Sequence, residues 1–95
     1  LKNVDLVITG EGQIDFQTVF SKAPIGVAKH AKKYNIPVIA ICGSLGKNYQ
    51  DVHSHGIDAV IPITPKPMDL KEASDNAYEL IKNTSEQIFR ILKIR

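Results

Sequence analysis

A single cysteine, Cys42, excludes any disulfide within the chain, and the absence of tryptophan leaves aromatic residues at only 6% of the composition. The core must therefore come from aliphatic side chains, within a hydrophobic content of 43%. Cys42 lies in the run "VIAICGS", where a lone thiol reads as a buried small hydrophobe in preference to a reactive group. No apolar run approaches the roughly 20 residues of a membrane span. The start "LKNVDLVITGEG" also lacks the basic, apolar, small-residue order of a secretory signal, so the expected location is cytoplasmic. Neither sign of charge dominates: 12 basic residues face 10 acidic ones, for a net charge of +2. The basic residues are spread out, which argues against a nucleic-acid partner. Their densest patch, "KHAKK" at 29–33, reads as the solvated face of a helix.

What is present suits one soluble α/β unit with a modest core. The chain opens at Leu1 without an initiator methionine, and a strand begins almost at once, which leads to the expectation that it is a piece of a longer protein. "VDLVIT" (4–9), "PVIAIC" (37–42) and "DAVIPI" (58–63) are short apolar runs closed by glycine or proline, as in strands buried on both faces. Between the first two lies "PIGVAKHAKKYN". There Pro24 fits only a first helical turn, Asn35 suits a left-handed terminator, and Ile25, Ala28, Ala31 and Lys32 share one face. A stripe this small predicts close packing on a sheet. "NYQDVHSHG" reads as a short second helix ending at Gly56. Strands and helices alternating at these spacings imply parallel pairing and a Rossmann-like α/β architecture.

After the stiff connection "PITPKPMD", Asp69 and Glu72 form an N-cap and N3 pair. Leu70, Ala73, Ala77, Leu80, Thr84, Ile88 and Ile91 then recur at helical spacing, predicting one long amphipathic helix that covers the sheet. Arg90, Lys93 and Arg95 suit the negative pole of its dipole. The expected fold is a three-layer α/β/α arrangement on a parallel sheet of about three strands, an incomplete part of a larger domain.

Ligands of parallel α/β sheets bind beyond the carboxyl ends of the strands, so chemistry is expected in residues 10–23, 43–47 and 64–68. Gly10-x-Gly12-x-x-Asp15 resembles the start of a dinucleotide fingerprint. Aspartate stands where the third glycine belongs, however, and the helix begins too late. Gly10 and Gly12 permit a sharp turn and close approach to a ligand. Glu11 and Asp15 can hold a magnesium ion through oxygen, or one of them can take a hydroxyl proton. Lys22, beside the first turn of the next helix, adds a point charge where free N–H groups favour phosphate. Each feature has a structural reading as well: Gly10 as a turn, Ser21 as a helix cap, Glu11 as an exposed charge. Asp15 and Lys22 are not demanded by a turn, which makes them the strongest functional candidates. Gly43 and Ser44, in "CGSLG", present backbone amides that can cradle an anion, or form a tight strand-to-helix turn. His53 and His55 are two apart and point away from each other on a helix, which disfavours a metal pair. His30 reads as exposed.

The stretch 5–46 resembles the C-terminal signature of bacterial type I glycerate kinases. Gly10, Glu11, Gly12, Asp15, Gln17, Thr18, Lys22, Pro24, Gly26, Val27 and Ala28 all fit the spaced pattern. The likeness continues through "GSLG", "DAVIPI" and the terminal helix. Ser21 departs from it, standing where the family usually has glycine, a replacement that requires an ordinary φ there. Phe16 and Phe20 also stand at positions expected to be smaller or polar, and suggest contact with a partner domain or chain.

The resemblance implies a longer two-domain enzyme that transfers the γ-phosphoryl of ATP to D-glycerate with Mg2+. This chain would supply one wall of its cleft and be inactive alone. Asp15 would then orient or deprotonate the accepting hydroxyl, or bind magnesium together with Glu11, while Lys22 contacts phosphate or carboxylate. Glu11, Gln17, Thr18 and Ser21 would complete the polar wall beside Gly10, Gly12, Gly43 and Ser44. The partners implied are glycerate, ATP and the remainder of the kinase chain, with self-association through uncovered apolar surface. The competing readings are a non-catalytic nucleotide- or phosphate-binding module and a purely structural or interaction domain.

Overall fold

In the computed structural model, which describes residues 5–94, the chain divides at the proline-rich connection into one unit ending at Pro62 and another beginning at Ile63. Val4, expected in the first strand, and Arg95, expected in the last helical turn, lie outside the described residues.

Three apolar runs give the first unit its sheet: β1 (Val7–Ile14), β2 (Val38–Leu45) and β3 (Ala59–Pro62), all parallel and in the order β1-β2-β3. The register sets Val7 beside Val38, Glu11 beside Cys42 and Ala40 beside Val60. Alternate strand residues share a face, so these six lie on one side. Both crossovers step the same way across the sheet, and right-handed connections then deliver both helical segments to a single face. The segments are α1 (Lys22–Lys32) and a 3-10 helix at Tyr49–His55. Ile25, Ala28, Ala31 and Val52 from these segments form one core with Val38, Ala40 and Cys42. Alanine at 28 and 31 gives α1 the small inner face its spacing predicts. Asn35, at φ 57°, follows the helix in the left-handed conformation.

Both long strands run further than their apolar segments. β1 continues through Gly10, Glu11, Gly12 and Gln13, and β2 through Gly43 and Ser44, all expected to be loop. The two extensions pair with each other, Gln13 opposite Ser44 and Ile14 opposite Leu45. A Cβ at Gly43 would lie 2.8 Å from the Gly12 carbonyl oxygen, so glycine is what permits this approach. Gly10 and Gly12 therefore form no turn.

In the second unit, Asp69 caps α2 (Leu70–Asp75), its Oδ1 accepting the Glu72 amide at 2.8 Å. The single long helix expected from periodicity is interrupted at Asn76, and α3 spans Ala77–Ile94. Asn76 has φ −107° and ψ 11°, and its side-chain amide donates to the Glu72 carbonyl at 2.8 Å. Such a short polar side chain competes with the helical ladder for the same acceptor. The expected stripe is correspondingly split: Leu80 and Ile88 are buried, whereas Leu70 and Ile91 are exposed.

Candidate active site

All three strands end at one edge of the sheet, and the first two connections meet there. The Gly46 amide donates to the Ile14 carbonyl at 2.7 Å, and the Phe16 amide to the Lys47 carbonyl at 2.9 Å. The chain leaves β1 through a 3-10 helix, Phe16–Phe20, that the sequence reading did not anticipate. Asp15 is its N-cap. Oδ1 accepts the Gln17 amide at 2.8 Å, and the Asp15 amide donates to Thr18 Oγ1 at 3.0 Å. Asp15 is thus needed for the local turn, contrary to the reasoning from sequence. Thr18 is buried, and its hydroxyl oxygen accepts the Asp15 amide to close this cap.

The second oxygen of Asp15, Oδ2, accepts from Gln13 Nε2 at 3.3 Å. Gln13 is exposed, whereas the next residue, Ile14, is buried in the core with Ile25 and Ala28 of α1. Glu11 is half-buried beside the fully buried Cys42. Burial pushes the Cys42 thiol above its usual range, outweighing a backbone hydrogen bond at Ser44. Gly10 and Gly12 are exposed, and a Cβ at Gly12 would meet nothing within 4 Å. Packing within the chain does not require glycine there.

Ser21 has φ −79° and ψ 125°, the ordinary backbone that serine in place of glycine demands. It occupies the N-cap of α1, but its hydroxyl makes no capping bond. Lys22 opens the helix. With Phe20, Ser21, Ile25 and Lys29 it lines a depression of about 290 Å³. Among the described residues, neither Lys22 nor Lys29 forms an ion pair; the pairs are Lys32–Asp58, Lys71–Asp75 and Arg90–Glu86. Gly43 and Ser44 are extended strand, not an amide nest, because nests need alternating helical backbone. The anion cradle expected there is therefore not formed by these two residues.

The structure thus groups Gln13, Asp15, Gln17 and Gly46 in one cluster, and Ser21, Lys22 and Lys29 around a separate depression. Gln13, Gly46 and Lys29 escaped the sequence reading. Lys29 had an available signal, since it falls two helical turns after Lys22. His53 is held by its Nδ1 against the Ile57 carbonyl at 2.8 Å, and no group of three or more metal-ligating side chains occurs among the described residues.

A parallel α/β unit with its polar side chains gathered at the carboxyl edge is the Rossmann-like class of ligand-binding domain. Comparison with known proteins narrows this. The family model described as glycerate kinase family matches residues 1–93. A glycerate kinase of Halalkalibacterium halodurans is 52% identical over 88 residues, covering 93% of this chain and 23% of that protein. The glycerate 2-kinase of Escherichia coli K12 is 51% identical over 89 residues, 94% of this chain and 23% of its own. A crystal structure of a candidate glycerate kinase 2 from Salmonella typhimurium LT2 superposes with a TM-score of 0.66 at 44% identity, over 98% of this chain and 23% of that one. The chain belongs to the glycerate kinase family, matches the C-terminal segment of its relatives, and spans about a quarter of their length.

Proposed function

We propose that this chain forms the C-terminal part of a glycerate kinase, transferring the γ-phosphoryl of ATP to a hydroxyl of D-glycerate. The observation that carries the reading is the family match over residues 1–93, with its polar residues at the sheet edge where ligands of such folds bind. Phosphoryl transfer asks a protein mainly for positioning and charge neutralisation. Asp15 presents a carboxylate fixed by the Gln17 amide, suited to orient the accepting hydroxyl or take its proton. Lys22, exposed and free of any ion pair among the described residues, suits a phosphate or the glycerate carboxylate. Glu11, Gln17 and Ser21 complete the polar surface.

Magnesium is commonly held by one or two carboxylates together with substrate phosphates, and the residues here fit that pattern. With no larger ligand cluster among the described residues, Glu11 or Asp15 would each offer a single carboxylate. When bound, the ion would neutralise charge on the phosphates. On this reading the rest of a longer kinase supplies the other wall of the cleft, and the 95-residue segment is expected not to turn over glycerate by itself.

A chimera tests this reading. The chain replaces the matching segment of the Bacillus subtilis glycerate kinase, to which it is 47% identical over 94 residues. The chimera should phosphorylate glycerate with ATP, and Asp15→Asn or Lys22→Ala should each lower turnover by about 100-fold or more with the melting temperature retained. Near-normal turnover in both variants would overturn the site, and a folded but inactive chimera would overturn the function. Tight ATP binding by the 95-residue chain in calorimetry would instead favour a self-sufficient nucleotide-binding module.

A further inference from the structure

We propose that Gln13 and Gly46 are positioning residues that fix the Asp15 carboxylate in its working orientation. The inference rests on the reading of Asp15 as a reacting group, and it goes beyond that reading in naming what holds the group.

Gly46 has no positive φ, so its backbone conformation alone does not call for glycine. What excludes a side chain is the neighbour: a Cβ at Gly46 would stand 2.7 Å from Asp15 Cβ and 2.6 Å from Gln13 Nε2. Real carbon atoms do not approach so closely, so something would have to shift. The Gln13 amide, at the end of a flexible side chain, can swing away. Asp15 Cβ cannot, because it is one bond from a backbone tied on both sides. The Asp15 amide donates to Thr18 Oγ1 at 3.0 Å, and the following amide, of Phe16, donates to the Lys47 carbonyl at 2.9 Å. Relief at Gly46 must therefore move the carboxylate itself.

Gln13 acts on the same group from the other side. Its Nε2 donates to Asp15 Oδ2 at 3.3 Å, while Oδ1 is engaged by the Gln17 amide at 2.8 Å. Two donors on two different oxygens fix rotation about the Cβ–Cγ bond, which one donor would leave free. Each carboxylate oxygen keeps a second lone pair for a substrate hydroxyl or a metal ion. The residues that set this geometry come from the end of β1 and the end of β2, so pairing of the two strand extensions is what aims the carboxylate.

The test uses the chimera, with active wild type and an impaired Asp15→Asn as its baseline, so that failure here is separate from failure of the functional reading. Gly46→Ala should lower kcat by about 100-fold, the effect of a misplacement near 1 Å, with the KM for glycerate unchanged. Added to Asp15→Asn, it should cause no further loss, because both act through one carboxylate. Gln13→Leu, which keeps a side chain of similar size and removes the amide that donates to Asp15, should lower kcat by about tenfold, the worth of one hydrogen bond. Losses from Gly46→Ala that multiply with those of Asp15→Asn would mark it as purely structural and overturn its role. If Gly46→Ala does not fold, Gln13→Leu decides: unchanged kcat beside an impaired Asp15→Asn overturns the proposal.

Discussion

Lys32, at the end of α1, forms an ion pair with Asp58, on the turn that enters β3, and the same Asp58 oxygen accepts the Val38 amide at 2.7 Å. One carboxylate thereby ties the last turn of a helix to the first residues of two strands. Burial alone would raise the Asp58 pKa. The hydrogen bonds from Lys32 and Val38, with the charges of Lys32 and His53, outweigh it and hold the carboxyl below its ordinary value. A lowered folded pKa adds stability that is complete above the unfolded value near 4 and lost as pH falls through the folded one. With both side chains over a third exposed, the ion pair is worth about 1 kcal/mol or less, and the amide bond adds a similar amount. Asp58→Ala should therefore cost about 1–2 kcal/mol in urea unfolding at neutral pH, and the gap from wild type should narrow in acid. A gap that stays constant down to about pH 2 would show that the carboxylate charge is not involved.

Cys42 is fully buried in the middle strand, and its thiol is pushed above the usual range. The thiolate is the reactive form, so both accessibility and ionisation oppose modification. A thiol reagent at mildly alkaline pH should label the folded chain far more slowly than the urea-unfolded chain. Equal rates would show that β2 opens readily to solvent.

At the interruption, the Asn76 side-chain amide donates to the Glu72 carbonyl at 2.8 Å, an acceptor its own backbone amide also reaches at 3.2 Å. Alanine at that position removes the competing donor and has the higher helix propensity, by up to about 0.7 kcal/mol. Asn76→Ala should deepen the helical circular dichroism signal and raise stability by roughly that amount. Unchanged or reduced helicity would mean that the break is imposed by something other than Asn76.

The parts of the fold legible in the sequence are those set by local chemistry. Apolar runs mark all three strands, Pro24 and Asn35 bracket α1, and Asp69 caps α2, because each signal is complete within a few residues. The continuation of β1 through "GEGQ" was not legible. Glycine and charged residues carry little strand preference, and the pairing that extends it comes from Gly43–Leu45, about thirty residues away. The candidate site divides in the same way. Asp15 and Lys22 stood out as charged residues in a connection, but the capping role of Asp15 depends on a 3-10 helix with no periodic signal. The contact of Gly46 with Asp15 exists only once two strands have paired. The helical break at Asn76 was hidden because hydrophobic spacing continues across it.

Apolar exposure leads to the last expectation, that the 95-residue chain associates with itself. Phe20 is 82% exposed at the rim of the Lys22 depression, and Tyr78 and Phe89 are exposed on α3. Within the described sheet, β1 and β3 each have one neighbour, which leaves a row of backbone donors and acceptors open on either side. Burial of a phenylalanine side chain is worth about 1.5–3 kcal/mol, so Phe20 and one further aromatic contribute about 3–6 kcal/mol before the cost of association, which places self-association at millimolar or weaker. Sedimentation velocity over a concentration series should show a rising weight-average coefficient. Association should tighten in ammonium sulfate, since excluded salts strengthen apolar burial. It should respond little to sodium chloride, because the chain carries only +2 of net charge and no block of one sign. Strict monomer behaviour at the highest concentration, or dissociation by salt, would show that the exposed aromatics are not the driving surface.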